Sequence, residues 1–383
     1  MKLAIISHTE HYNTTDGTIV GWGPTVMEIN HLLEVFEEIY HVAMLHQGEA
    51  PPSALPYQSG RIHFVPIPAV GGPSFSDKLS ILWYAPKIVS IISIALKKVD
   101  VFQFRAPTGI GVYVIPYLTF FVKKKGWYKY AGNWNQKQAP PGYALQRWLL
   151  KHQARKVTIN GFWEHQPANH LSFENPCLSE ADIRLGEQVR LRKDFIGKLS
   201  FCFVGRLERE KGVERIIRAF LGLNKKDLDR VETVHLVGAG KALENFKTLA
   251  QAGEIDFKFH GTLARKDVFK VYTESHVFLL PTTASEGFPK VIAEALNFGC
   301  VPIVSRLSAI DHYIGDEKNG YLIDPVTDDV LGNLIKKLLY LSEVKRRAFL
   351  DQAPELVKQF TFEHYNQRIV NDILNTTSTD TTT

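Results

Sequence analysis

Two stretches in the second half of this 383-residue sequence carry the side chains best suited to chemistry. The first is PTTASEGFPKVIAEALNFG, residues 281–299. An apolar run stops at Pro281, and a helical pattern over 289–299 has proline at its start and glycine after its end. The loop between them holds Glu286 and Gly287. The first N–H groups of a helix have no partner within it, and the helix dipole favours negative charge there. Gly287 lets the backbone approach a ligand closely, so a phosphate or diphosphate would be well held. Glu294 lies five residues past Pro289, ~7.5 Å along the helix axis. Glu286 and Glu294 could then meet opposite ends of an elongated ligand, as a nucleoside diphosphate sugar is, because carboxylates accept the hydrogen bonds that sugar and ribose hydroxyls donate. Taken singly, each glutamate reads more simply as a solvated charge. Glu294, set between Ala293 and Ala295 in an apolar segment, is the harder one to dismiss.

The second stretch is FVGRLEREKGVERIIRAF, residues 203–220. It reads as a strand, Gly205, a basic loop and a helix. Arg206 and Lys211 sit where a strand end would present them, the one a planar fork and the other a mobile point charge, both suited to phosphate oxygens. Glu208, Arg209 and Glu210 beside them also permit plain solvated charge.

Together these stretches resemble the GT-B glycosyltransferases of family GT4. The carriers are EGFPKVIAE, from Glu286 to Glu294, followed by Ala295 and Gly299, and GRLEREKG, from Gly205 to Gly212. The likeness covers most of the second half and extends to the first by architecture. It implies a retaining transfer from a nucleotide-diphosphate sugar, a UDP- or GDP-sugar, to the hydroxyl of a glycan or lipid-linked glycan, as in cell-surface polysaccharide, capsule, lipopolysaccharide or glycolipid synthesis. It further implies that Arg206 and Lys211 bind the donor diphosphate and Glu286 meets the transferred sugar. Gly287, Phe288 and Pro289 line the sugar and phosphates, and Glu294 holds the ribose. The base pocket is expected near Gly238 and at Thr262 and Leu263. With the cations supplied by side chains, no metal or other cofactor is expected. Family members often carry a histidine near the sugar in the middle of the first domain. Here GWYKYAGNWNQ (126–136) has none, leaving Lys129 or Asn133 as weak substitutes.

The elements that must position these residues follow from periodicity. Strand and helix patterns alternate along the chain, with strands expected at 3–6, 41–45, 62–66, 99–104 and 156–160, and again at 199–205, 232–238, 256–261, 276–281 and 301–305. The fold class is α/β: two doubly wound, Rossmann-like domains facing a cleft, with ligands outside the carboxyl ends of the strands. A polar stretch at 165–198 places the boundary near 190, giving a first domain over 1–190 on the acceptor side and a donor-binding domain over 191–360. The helical pattern 361–374 packs back on the first domain, as the resemblance implies, and the Thr-rich tail 375–383 has nothing to pack. In the first domain, Gly21 and Gly23 before a helix at 24–37 offer a glycine loop near the donor, or a plain turn. Arg105 ends a strand and either faces a ligand or forms a structural ion pair. His8 is expected at the end of the first strand.

Composition sets the outer limits. Apolar residues at 45% and charged residues at 22% describe an ordinary globular chain. Three scattered cysteines, Cys177, Cys202 and Cys300, form neither a disulfide framework nor a metal knuckle, which fits a reducing, cytoplasmic compartment. The net charge of +5, with acids interspersed, argues against nucleic acid. The apolar segment 79–96 is broken by Pro86 and Lys87. It reads as buried helices or as an interfacial helix. With Lys123, Lys124 and Lys125 after the apolar run 112–122, it raises peripheral association with the inner face of a membrane. All six tryptophans fall in the first half, where core packing explains most of them and sugar stacking is the alternative. The other functional readings are a sugar-nucleotide epimerase or phosphorylase of similar fold, and a non-catalytic nucleotide-sugar binding protein.

Overall fold

The computed structural model describes residues 1–72 and 74–375. The tail expected over 375–383 lies, apart from Asn375, outside the described residues. The chain forms two units, Met1–Asn175 with the segment from Phe362, and Pro176–Thr361. The division falls upstream of the expected 190. The polar stretch there conceals a helix, Glu180–Arg192, opened by a capping box in which Ser179 and Asp182 exchange hydrogen bonds of 3.2 and 2.8 Å. Asn297 donates to the Asp182 carbonyl at 2.8 Å, which ties this helix to the second unit.

The first unit contains β1 (Lys2–Asn13), β2 (Ile19–Trp22), β3 (Glu38–His46), β4 (Ala54–Pro56), β5 (Ile62–Pro68), β6 (Val101–Ala106), β7 (Lys125–Tyr130), β8 (Val157–Ile159) and β9 (His170–Ser172). Seven of these strands run parallel in the order β5-β3-β1-β6-β7-β8-β9. β1 continues past a register shift after Ile6 and pairs antiparallel with β2, which pairs in turn with β4. His8 therefore lies within β1 rather than at its end. Side chains alternate between two cores, as the twofold period of a strand requires. Ala4, Ile6, Phe102, Phe104, Tyr128 and Tyr130 face the helices Ala85–Leu96, Gly111–Phe121 and Pro141–Lys151. Leu3, Ile5, Val101 and Trp127 face Ile29 and Leu32, together with Tyr365 and Ile369 from the returning segment.

Arg105 and Lys129 are structural in this unit. Both pair with Glu28 of the Gly23–Leu32 helix, at 2.9 and 2.6 Å, and all three side chains are almost wholly buried. The Lys129 ammonium also lies 4.5 Å from the Tyr365 ring centre, so the cluster anchors the returning helix.

The second unit contains β10 (Leu199–Val204), β11 (Val231–Val237), β12 (Phe257–Gly261), β13 (Val277–Leu280), β14 (Val301–Ser305) and β15 (Tyr321–Ile323), all parallel in the order β12-β11-β10-β13-β14-β15. The chain winds outward from β10 in one direction and then from β13 in the other. The switch point lies between these two strands, where open α/β sheets hold their ligands. Glycines let the loops at this edge interlock. Gly212 takes φ 89°, and a Cβ there would run into the Pro281 carbonyl.

Two outcomes follow. Gly212→Ala combines a left-handed φ with a backbone collision, and we expect a loss of at least about 2 kcal/mol in denaturant unfolding. Glu28→Ala leaves two cations buried without their carboxylate, and we expect a loss of about 3–5 kcal/mol, whereas an exposed pair would lose under about 1 kcal/mol.

Candidate functional site

The switch point is where the two chemically suggestive stretches meet. β10 ends at Val204, and the loop that follows carries Arg206, a short 3-10 turn over Arg209–Lys211 and the left-handed Gly212. β13 ends at Leu280, and its loop carries Glu286 to Pro289 before the helix Lys290–Asn297. The loops are stitched by hydrogen bonds: the Thr283 N–H donates to the Glu210 carbonyl at 2.7 Å, and the Arg215 guanidinium, on the helix that follows Gly212, donates to the Pro281 carbonyl at 3.2 Å. This brings the Lys211 ammonium directly onto the Glu286 carboxylate. Lys211 is 9% exposed, while Glu286 is open enough to meet solvent or a ligand. A buried ammonium needs a counter-charge, and Glu286 supplies it.

Arg206 stands two residues past the end of β10, with its guanidinium exposed and 3.1 Å from Glu208. Its loop is held to the neighbouring one by Leu207 N–H donating to the Ala239 carbonyl at 2.9 Å. Gly238, at φ 134°, lies so close to Gly205 that a Cβ would strike its carbonyl, and its N–H donates to Gly261 at 2.8 Å. Thr262, exposed, and Leu263, half-buried, follow Gly261 at the carboxyl end of β12. The expected residues of this unit thus line the ends of four adjacent strands, β12, β11, β10 and β13.

Pro289 caps the helix Lys290–Asn297 with extended backbone. Phe288 is not open to a ligand through its ring. The side chain is buried, 4.7 Å from both Tyr313 and Phe360, and what it offers at the turn is backbone. Glu294 is half-buried on this helix. Burial pushes its carboxyl up to about 7, against the pull of Arg265 and Lys290. Arg265 lies two residues after Leu263 and is fixed by Asp182 at 2.9 Å and by the Cys177 carbonyl at 2.6 Å. Glu294 therefore shares its surroundings with the loop that carries Thr262 and Leu263.

Sequence reasoning passed over Arg265 and Tyr272, both close enough to act on the Glu294 carboxyl. No motif marks them, but their seven-residue spacing on Arg265–Glu274, about two helical turns, puts them on one side of that helix. In the first unit, Gly23 is buried at the start of its helix, against Ser53 of the neighbouring segment, where a Cβ would clash with the Ser53 carbonyl. Close backbone packing accounts for that glycine. Among the described residues no group of three or more His, Cys, Asp or Glu side chains is arranged to hold a metal ion.

Comparison with known proteins bears on the same region. Residues 193–355 match the family model described as "Glycosyl transferases group 1". An uncharacterized glycosyltransferase of Methanocaldococcus jannaschii is 26% identical over 184 residues, 46% of this chain and 44% of the relative. The match spans less than half the length of the curated relatives. Two solved structures superpose over nearly the whole chain. HepE of Anabaena in complex with UDP-glucose gives a TM-score of 0.69 at 16% identity, covering 97% of this chain and 99% of that one. Sucrose-phosphate synthase from Thermosynechococcus elongatus gives 0.71 at 16% identity, covering 97% of each. At such identities the likeness is one of fold. Residues 193–355 are thus similar to a group 1 glycosyltransferase domain, in a chain with the GT-B fold.

Proposed function

We propose that the protein is a retaining glycosyltransferase that moves a sugar from a nucleotide-diphosphate sugar to an acceptor hydroxyl. The acceptor is a glycan or a lipid-linked glycan of cell-surface synthesis. The observation that carries this reading is the meeting of Lys211 and Glu286 at the switch point, beside the start of the helix Lys290–Asn297. HepE was solved with UDP-glucose, which makes a UDP-sugar the first donor to try.

In this reading Lys211 and Arg206 bind the diphosphate, with the unpaired N–H groups at the helix start beside them. As the bond between sugar and phosphate breaks, negative charge grows on the leaving diphosphate. Preorganised positive groups stabilise that charge without having to rearrange. Lys211 does so from a buried position, where its field is weakly screened. Glu286 holds Lys211 in place before the donor arrives and then accepts hydrogen bonds from hydroxyls of the transferred sugar. Gly287, Phe288 and Pro289 present backbone to the sugar and phosphates. Glu294 accepts from the ribose hydroxyls. The base sits against Gly238, Thr262 and Leu263. The acceptor hydroxyl attacks on the face from which the diphosphate leaves, which preserves the anomeric configuration and requires no nucleophile from the protein. The diphosphate itself is the base nearest to that hydroxyl's proton.

Lys211→Ala should weaken UDP binding about 10- to 100-fold in calorimetric titration, the loss of one charged hydrogen-bonding partner. Arg206→Ala, being exposed, should cost less than about tenfold. Glu286→Gln should leave UDP affinity within a few-fold and lower turnover of the UDP-sugar by about 10²–10³. Full UDP affinity in Lys211→Ala, or full turnover in Glu286→Gln, would remove that residue from its role. Glu294 gives a pH dependence. With its carboxyl near 7 in the free protein, UDP binding favours the ionised form and draws the pKa down. Affinity should therefore rise between pH 6 and pH 8, up to about tenfold, and this slope should exceed that of Glu294→Gln, in which only the phosphate titrates.

A further inference from the structure

The sequence between Lys78 and Trp163 is unlike the rest of the chain. Of the protein's 45 basic and 40 acidic residues, it holds 14 and one, the single acid being Asp100. The remainder is therefore net acidic, and the modest overall charge conceals a strongly cationic segment. Apart from Arg105 and Lys129, no basic side chain of this stretch is in an ion pair among the described residues. Lys78, Lys87, Lys97, Lys98, Lys123 and Lys125 are exposed.

The same segment supplies one helical layer of the first unit. The helices Ala85–Leu96, Gly111–Phe121 and Pro141–Lys151 pack through Ile88, Ile92, Val114, Leu118 and Leu150 into a single core on one face of the sheet. Their inner sides are fully explained by that core, but their outer sides, and the end of the preceding helix Phe75–Trp83, are not. Trp83 is 84% exposed, Phe121 78% and Phe120 70%. Leu82, Trp148 and Ile94 are each more than half exposed. The short helix Phe75–Trp83 meets Ala85–Leu96 at a bend of 47° and flanks an open hollow of about 600 Å³ lined by Leu79, Leu82, Trp83 and Tyr84. No single described helix is long and apolar enough to cross a membrane.

We propose that the outer face of this helical layer is a docking surface for an anionic lipid bilayer. The chemistry commits to lipid on two counts. Bare tryptophan and phenylalanine side chains gain by entering the interface between headgroups and acyl chains. Unpaired lysines around them are attracted by the negative surface potential of anionic headgroups, each worth about a factor of five in partitioning. Nucleic acid would use the lysines but leave Leu82, Ile94, Phe120 and Phe121 in water. A second copy of the chain would bring a like cationic face against this one and be repelled. The helices lie on the bilayer and do not span it. This proposal stands apart from the donor chemistry of the second unit and survives if that chemistry is wrong.

The test is co-sedimentation of the full chain with vesicles of phosphatidylcholine alone and of phosphatidylcholine with phosphatidylglycerol. Two exposed-face variants accompany it, Trp83→Ser/Phe120→Ser/Phe121→Ser and Lys87→Glu/Lys123→Glu/Lys125→Glu, with thermal melting as the check on folding. Binding is expected to the phosphatidylglycerol vesicles only and to fall as salt is raised. The lysine reversals should lower partitioning at least ~100-fold, and the aromatic variant should lose binding with its melting temperature unchanged. Equal binding to both vesicle types, no binding to either, or full binding by both folded variants overturns the proposal. So does a chain that binds RNA or self-associates through this face while ignoring vesicles.

Discussion

A lysine ammonium taken out of water must be neutralised close by, and that requirement organises the loops at the carboxyl edge of the second unit's sheet. Lys211 is buried, and Glu286 from a different loop meets its charge. The two residues are 75 positions apart in the chain, and only the winding of the sheet brings them together. Reversal of strand order between β10 and β13 leaves a gap at their carboxyl ends that no helix fills. The loops from both strands converge there, and the interlocking glycines decide how closely. An ion pair of this kind is weak evidence of stability, because desolvation offsets much of its attraction. What it does fix is the relative position of the two loops at the switch point.

The second unit was legible because its signals are local. Glycine after a strand, proline at a helix start and charges in the loop between them are read within a dozen residues, and five of the second unit's six parallel strands coincide with the expected ones to within a residue or two, the three-residue β15 being the one not expected. The relation of Lys211 to Glu286 was suggested by resemblance and became a contact only through topology. Arg265 and Tyr272 were missed because their bearing on Glu294 is tertiary. The capped helix Glu180–Arg192 was overlooked because its apolar residues, Ile183, Leu185, Val189 and Leu191, do not recur at one helical stripe, so periodicity had little to register.

The first unit was harder to read, for reasons that follow from burial. Of the two roles open to Arg105 from the sequence, ligand contact or structural ion pair, the structure shows the second. Lys129, a weak substitute for the absent histidine, joins it on Glu28, a partner that sequence separation hides. The tryptophans err in the opposite direction. Core packing accounts for Trp127 and Trp134, which are buried, yet Trp22, Trp83 and Trp148 are more than half exposed. Composition could not reveal this, since a helix that packs by one side looks equally apolar whichever way its other side faces.

The discontinuous first unit has a consequence for how the protein comes into being. Tyr365 and Ile369 belong to the core built on β1 and β6, yet they leave the ribosome after every residue of the second unit. The uninterrupted unit, although second in the chain, can therefore finish its core during synthesis. The first unit must wait for its returning helix, with Glu28, Arg105 and Lys129 short of their aromatic cover until Tyr365 has been made. A chain stopped before Phe362 would spare the second unit and strand the first half-assembled.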